Sequence, residues 1–353
     1  HAPQGSPKRP SKRVETGQWI CEAALWVEWT CVGKAETSAS CQLLVVSAEA
    51  LLRCLSEDPI LRDSAAEYGR QFHKRVTSAR PPYSTWPTDL EVPFTDYLDL
   101  VASMRAPVRE LIGANALQQL STRRLGKAID KLRNEVHASR SIVLVTGSGA
   151  VVRVVSLVVL RVEDDTGRVF TQLGRWEGDC VRPAVQLPGL KQEAEELVGE
   201  TLERMLATKV SLLQGQLDFL GTSRETHEEE SKEFGVQTRY LRSICSARTT
   251  SPGSISPREM RRPVQHSRCD AKSVDILRQL NKLRSFLDVD ARSILDDLEV
   301  HIVHTADAAG YVYAWLSPEA MAALVAPGTD AILRPWLSQR LTFRQVEGPA
   351  FDI

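Results

Sequence analysis

The stretch Leu187-Pro188-Gly189-Leu190-Lys191-Gln192-Glu193-Ala194-Glu195-Glu196-Leu197-Val198-Gly199-Glu200-Thr201-Leu202-Glu203-Arg204-Met205-Leu206-Ala207-Thr208-Lys209 decides how the chain is read. It follows an extended run, Ala184–Leu187, and breaks at Pro188-Gly189. It then predicts a helix over Gln192–Ala207, with Ala194, Leu197, Val198, Leu202, Met205 and Leu206 on one face. Strand-like segments lie on both sides: Ile142–Thr146, Val151–Val162, Val169–Leu173 and Thr238–Ile244. A hairpin is expected over Val300–Leu316, turning through Ala306–Gly310, and Ser317-Pro318-Glu319 opens a last helix. Thr146-Gly147-Ser148-Gly149 is followed by β-branched Val151-Val152 rather than a helix, so it reads as a hairpin turn and not a phosphate loop.

Upstream the pattern is mixed. Gln42–Val46 reads as a strand, Ala48–Cys54 as a short helix, and a longer helix starts at Pro59, with Leu61, Ala65, Tyr68, Phe72 and Val76 at helical spacing. Arg80-Pro81-Pro82 ends it, and the proline-rich stretch 79–93 reads as a rigid connector. Two more helices are expected, Pro107 to about Gln119 and Thr122–His137. The second turns Leu125, Ile129, Leu132 and Val136 inward and Arg123, Arg124, Lys127, Lys131 and Arg133 outward. With no aromatic residue interleaved for base stacking, that basic face reads as solvated surface. Ser246–Cys269, rich in Ser, Pro and Arg, reads as a disordered insert ahead of a helix near Val274–Leu287. His227-Glu228-Glu229-Glu230 reads as an exposed charge run, and His301 and His304, three apart on a strand, as pointing to opposite faces.

Composition narrows the class. The 353 residues carry 44 Lys+Arg against 45 Asp+Glu, a formal charge of −1, which excludes capture of nucleic acid or anionic membrane by overall charge. The most apolar run, Val151–Val162, is interrupted by Arg153 and Arg161, so no transmembrane segment is expected. The polar opening, residues 1–18, reads as a flexible lead rather than a secretory signal, and a start at His1 points to a piece of something longer. Seven cysteines (21, 31, 41, 54, 180, 245, 269) include no CxxC pair, and 21, 31 and 41, ten residues apart, lack the tighter pairs and nearby histidines of a zinc site, so they read as reduced, mostly buried thiols of an intracellular protein rather than metal ligands. The expected location is the cytoplasm, or the cytoplasmic face of a membrane through a partner.

Two resemblances sharpen this. Ile20-Cys21-Glu22-Ala23-Ala24-Leu25-Trp26 through Cys41-Gln42-Leu43-Leu44-Val45-Val46 resembles the C-terminal half of a cyclic nucleotide-binding domain, over about residues 19–77. In that family a Glu accepts from the ribose hydroxyl, and an Arg nine residues on pairs with the cyclic phosphate. Glu22 stands at the Glu position, Cys31 at the arginine position, and Lys34 sits three residues late. Loss of the arginine removes charge-assisted bonds worth about 1.5–3 kcal/mol each, so the resemblance implies a vestigial ligand site at Glu22, Cys31 and Lys34 and no useful cyclic nucleotide affinity.

The opening stretch resembles the Nudix box, Gly-x5-Glu-x7-Arg-Glu-U-x-Glu-Glu-x-Gly-U, with U aliphatic. Gly189 belongs to the Leu-Pro-Gly turn, Glu196 matches the isolated Glu and Arg204 the Arg. The second glycine is Leu190, the Glu after the Arg is Met205, the Glu-Glu pair is Thr208-Lys209, and the final glycine is Ser211. In that family those carboxylates hold Mg²⁺ against a diphosphate. Here all three are gone. Glu193, Glu196, Glu200 and Glu203 form a stripe on the expected helix that offers an alternative, displaced Mg site. Tyr313-Ala314-Trp315-Leu316-Ser317-Pro318-Glu319 resembles the late Nudix strand-to-helix turn. With Phe94–Leu98 and Glu230–Leu241, the order resembles a large protist family that appends such a tail to cyclic nucleotide-binding modules of channel- or kinase-type proteins.

The expectation is an α+β chain: flexible lead 1–18, partial β-roll cassette with a C-terminal helix (19–78), helical connector (79–140), Nudix-like mixed-sheet α/β/α domain (141–340) with a disordered insert at 246–270, and a tail (341–353). The function expected is a non-catalytic regulatory or interaction protein with no cofactor, binding a protein partner or another part of a larger chain and no nucleic acid. The alternatives are a cyclic-nucleotide-responsive module and a Mg-dependent hydrolase of nucleoside diphosphate derivatives.

Overall fold

The computed structural model describes residues 12–121, 127–138, 140–177, 180–249, 288–296, 298–305 and 310–342. They fall into two units, a smaller one up to residue 81 together with 85–104, and a larger one of 82–84 and everything from 105 onward.

The smaller unit is helical. Ser47 caps α1 (Ala48–Ser56), Asp58 caps α2 (Pro59–Ser78) by accepting from the Ile60 N–H at 2.7 Å, and Asp96 caps α3 (Tyr97–Ala102). Its core is Ala23, Phe72, Val92 and Leu100, with Trp26, Trp29, Tyr68 and Val76 packed around them. Buried Arg75 on α2 donates to the Asp99 carbonyl (3.2 Å) and the Ser103 hydroxyl (2.8 Å), tying α2 to α3. The expected β-roll cassette is corrected here. Among the described residues of this unit there is no strand, and Glu22–Leu25 is a single 3₁₀ turn. Leu43, Leu44 and Val45 are 73, 93 and 85% exposed. The Gln42–Val46 run has strand-forming residues, but an isolated strand leaves its backbone groups unpaired and buries nothing, so the segment stays irregular.

The larger unit is a mixed α/β fold built on one sheet. Its strands are β1 (Ile142–Val145), β2 (Val151–Glu163), β3 (Val169–Glu177), β4 (Cys180–Gln186), β5 (Gly189–Lys191), β6 (Leu217–Glu230), β7 (Gln237–Thr249), β8 (Val300–His304) and β9 (Gly310–Leu316). The order is β6-β7-β2-β3-β9-β8, with β1 and β5 also on β2 and β4 on β3. Central β2 runs parallel to β7 from Val152↔Gln237 to Glu163↔Arg248, and it is antiparallel to β1, β5 and β3. Its near-continuous valine-rich sequence reflects this enclosure. Arg153, which interrupts that run, is buried and pairs with Glu135 (Nε–Oε2 3.1 Å) under the Phe234 ring.

Strand β9 shows how both faces are covered. Val312, Ala314 and Leu316 join a core with Leu173, α7 (Asp288–Asp296), α8 (Pro318–Val325) and α9 (Asp330–Thr342) through Ala291, Leu295, Leu324, Leu333 and Leu337. Tyr313 points the other way. Its hydroxyl donates to the Lys209 carbonyl at the end of α6 (Val198–Thr208). The α/β/α layering is therefore present. Helices α4 (Ala106–Ser121) and α5 (Lys127–His137) pack on β1 and the start of β2 through Ala116, Leu120, Ile129, Leu132, Val136, Val143 and Val151.

Two further expectations change. Strand β7 continues through Thr249, so the insert does not begin at 246; residues 250–270, and the helix expected near Val274–Leu287, lie outside the described residues. Edge strand β6 has no counterpart in the sequence reading. It is held by cross-strand charge pairs to β7, Arg239 Nε–Glu228 at 2.6 Å and Arg242–Glu225 at 3.4 Å. The Thr146–Ala150 turn joins β1 to β2 as a hairpin.

Gly310 faces Trp176 across β3 and β9, and a Cβ there would lie inside the indole ring. Gly310→Ala is therefore expected to destabilise the larger unit by about 1–3 kcal/mol through forced movement of that ring. Urea unfolding monitored by tryptophan fluorescence checks it; an unchanged midpoint would mean the ring relocates freely.

Candidate functional site

The box begins where β5 pairs with β2, Val158↔Leu190 and Val159↔Gly189. The chain then turns through 192–197. Gln192 fixes the turn: its side-chain oxygen accepts from the Ser156 hydroxyl (2.8 Å) and its amide donates to the Glu196 carbonyl (2.5 Å). Glu195 adopts a positive φ of 65°. This left-handed residue cannot continue a helix, and so α6 starts at Val198 rather than at Gln192 as the spacing predicts. The Glu200 carboxylate accepts from the Leu197 N–H at 2.6 Å and closes the N-terminus.

Glu196 and Arg204, the two matched box positions, form an ion pair. Arg204 donates to both Glu196 oxygens, Nε at 2.7 Å and the guanidinium terminus at 2.8 Å, and to the Lys191 carbonyl at 2.9 Å. Thr201 Oγ and the Glu193 N–H complete the carboxylate's partners at 2.8 and 2.9 Å. Burial pushes the Glu196 carboxyl up, but Arg204 and the other donors outweigh it and hold it below the ordinary range. The pair thus bolts the turn to α6.

The positions that carry metal ligands in the resembled box do something else. Met205 is fully buried apolar packing. The Thr208 hydroxyl donates to the Arg204 carbonyl. Lys209, 8% exposed, donates from Nζ to the Gly189 carbonyl at 2.8 Å and lies 4.6 Å from the centre of the Tyr311 ring. Burial, followed by the nearby Arg175 charge, lowers its pKa to about 8. A cation thus fills the space at this end of α6.

The stripe is not one helix face, because Glu193 and Glu196 precede α6. Glu196 is committed to Arg204, Glu200 to the helix N-terminus, and exposed Glu193 lies 3.4 Å from Arg204. Among the described residues, the group of three His, Cys, Asp or Glu side chains close enough to share a metal is elsewhere, at Cys21, Cys31 and Asp89.

The cassette positions also have other uses. Glu22 is half-buried in the 3₁₀ turn, where burial raises its carboxyl pKa. Exposed Lys34 pairs with Glu36 at 2.5 Å. Cys31 Sγ sits 3.7 Å from Cys21 Sγ. The expectation of mostly buried thiols is corrected: Cys31, Cys41, Cys54 and Cys180 are exposed, Cys21 is partly so, and Cys245 is buried. Without a sheet over 19–47, there is no core to take up Cys31 and Cys41.

On the basic face, Lys131 pairs with Glu233 at 2.9 Å and Arg133 with Asp130 at 3.3 Å, while Arg123 and Arg124 lie outside the described residues. His301 packs against Phe170 and His304 against Trp176. Sequence reasoning missed Asp89. Its role depends on a contact spanning 57 residues, and no local pattern signals it.

No known protein family matches the chain, and no curated protein does. Among solved structures it is similar to a Nudix hydrolase, RenU, from M. smegmatis. That likeness has 16% identity and a TM-score of 0.25 and covers 60% of this chain and 98% of the other. At that overlap the likeness carries no activity across. No described helix is long and apolar enough to cross a membrane.

Proposed function

We propose that the chain is a non-catalytic regulatory or interaction protein whose larger unit is a Nudix-like domain without the metal chemistry. The reading is carried by Lys209, a buried cation bonded to the Gly189 carbonyl where the resembled box places a carboxylate for Mg²⁺. A divalent ion there would meet an ammonium group, and neither Met205 nor Thr208 supplies a carboxylate to hold it. The Glu196–Arg204 pair, which shapes the box turn, is kept. The architecture is thus retained while the reactive groups are replaced, as suits a surface that binds a protein partner or another part of a larger chain.

The test is incubation of the purified chain with ADP-ribose or diadenosine polyphosphates and either Mg²⁺ or Mn²⁺. No metal-dependent release of phosphate products is expected. Metal-dependent turnover that stays with the folded chain through gel filtration would establish the hydrolase reading instead. A parallel thermal-shift measurement with cAMP and cGMP is expected to show no change. A ligand at 100 times its dissociation constant would contribute about 2.7 kcal/mol, so binding would be visible.

A further inference from the structure

We propose that Cys21, Cys31 and Asp89 form a zinc site in the smaller unit. It shares no residue with the box and is independent of the function proposed above. The ligand atoms of the three residues all lie within 4.8 Å of one another, and the two sulfurs are 3.7 Å apart. Zn–S bonds of about 2.3 Å at a tetrahedral angle place two sulfurs about 3.8 Å apart. The thiols therefore already stand at the edge length of a zinc tetrahedron.

The surroundings hold them there. Cys21 precedes the 3₁₀ turn in a left-handed conformation, φ 58°, that non-glycine residues adopt at a cost. Its N–H donates to the Asp89 carbonyl at 2.6 Å. The Asp89 side chain reaches the other cysteine's segment. It accepts from Trp29 Nε1 at 2.8 Å, from the Val32 N–H at 3.0 Å and from the Gly33 N–H at 2.5 Å. A Cβ on Gly33 would come within 3.0 Å of Asp89 Oδ2, so the close approach suits glycine. One residue thus clamps both cysteine-bearing segments, one by its backbone and the other by its carboxylate.

A metal would take the place of a proton at the carboxylate. Its oxygens receive three N–H donors, the Val32 N–H shared between both oxygens, and the Cys21 thiol, whose proton Zn²⁺ binding would release. Those donors orient it as the hydrogen-bonding partners of a metal-bound carboxylate do. Two sulfurs and one oxygen select a borderline-soft ion such as Zn²⁺ over Mg²⁺ or Ca²⁺. Cys31 is exposed, so the fourth position is open to water or to an incoming ligand. Zinc binding would pin the 3₁₀ turn and residues 29–33 to Asp89, giving this helical unit a cross-link between segments that no sheet connects.

The test uses the full chain, kept reduced with a phosphine, stripped with a chelator and titrated with Co²⁺ and then Zn²⁺. One equivalent of Co²⁺ is expected to give thiolate-to-metal charge-transfer absorption with tetrahedral visible bands, displaced by one equivalent of Zn²⁺. Both signals should be lost in Cys21→Ser and Cys31→Ser, weaken at least tenfold in affinity in Asp89→Asn, and persist when Cys41, Cys54 and Cys180 are all serine. If either cysteine variant fails to fold by circular dichroism, the wild-type stoichiometry and Asp89→Asn decide. Absence of the band from the reduced wild type, an unchanged affinity in Asp89→Asn, or its loss in the triple-serine chain overturns the assignment. A Cys21–Cys31 cross-link in unreduced protein, with no band after reduction, would make the pair a redox bridge instead.

Discussion

Replacing Arg204 with methionine is expected to destabilise the larger unit by about 2–4 kcal/mol, between the values for exposed and fully buried ion pairs. The side chains of Glu196 and Arg204 are 17 and 29% exposed, so water screens them only in part. The substitution removes both bonds to Glu196 and the bond to the Lys191 carbonyl, and it leaves a half-buried carboxylate with only the Thr201 hydroxyl and the Glu193 N–H. Residues 192–197 then keep the Thr201–Glu196 and Leu197–Glu200 bonds to α6 but not those of Arg204. Glu196→Gln should cost about as much, and the double variant should cost far less than the sum, because the two side chains act on each other.

The acid response follows. The folded-state pKa of Glu196 lies below its ordinary 4.5, so the unfolded chain binds protons more readily near that pH. The pair's contribution is complete above 4.5 and declines as pH falls through the folded-state value. In Arg204→Met this part of the acid sensitivity should disappear. Glu135, held low against its burial by Arg153 and Lys191, would keep its own share. Urea unfolding at pH 7 and pH 4 on wild type and both variants measures this. Additive costs at pH 7 would show that the pair is not what secures the turn.

The parts of the fold that were legible in the sequence are those with an apolar face to announce them. Strand β2 shows its enclosure through Val151–Val162, and α5 its inward residues Ile129, Leu132 and Val136. Strand β6 was illegible because its outer edge meets solvent and its register is set by charge, with Glu225 and Glu228 opposite Arg242 and Arg239. Gln42–Val46 erred the other way: strand-forming residues make a strand only where a partner edge exists. The start of α6 was misplaced because Ala194 and Leu197 fall at helical spacing, whereas the Gln192 bonds and the Glu195 backbone decide the turn. Of the box, the positions of Glu196 and Arg204 were readable from the resemblance and the missing metal carboxylates from residue identity; the bond between the two side chains was not foreseen. The local role of Lys209 was not, because the carbonyl it serves lies 20 residues upstream and the ring it faces is on β9.

Lys209 provides the other large effect, and it tests the proposal that the box does no metal chemistry. Lys209→Glu places a carboxylate where the resembled family has one, yet it is expected to destabilise the unit by about 3–5 kcal/mol. The new carboxylate would be buried at an 8% exposed position, and a donor to the Gly189 carbonyl would become an acceptor against it. It would also face the Tyr311 ring, which attracts cations. Added Mg²⁺ should not restore stability, since Met205 is apolar and Thr208 offers only a hydroxyl. Lys209→Met keeps the packing of the stem and is expected to cost about 1–2 kcal/mol, the loss of a bond to a charged donor offset by relief of a buried charge.

The pH dependence distinguishes this account from a surface lysine. With a folded-state pKa of about 8 against an ordinary 10.5, the unfolded chain holds the proton more tightly between those values. Wild-type stability should therefore gain from this group as pH rises from about 8 toward 10.5, and Lys209→Met should lack that gain. Thermal unfolding of the three proteins at pH 7 and pH 10, each with and without Mg²⁺, separates the outcomes. Rescue of Lys209→Glu by Mg²⁺ would mean that the replaced ligand set still assembles around a divalent ion, and the non-catalytic reading would fall with it.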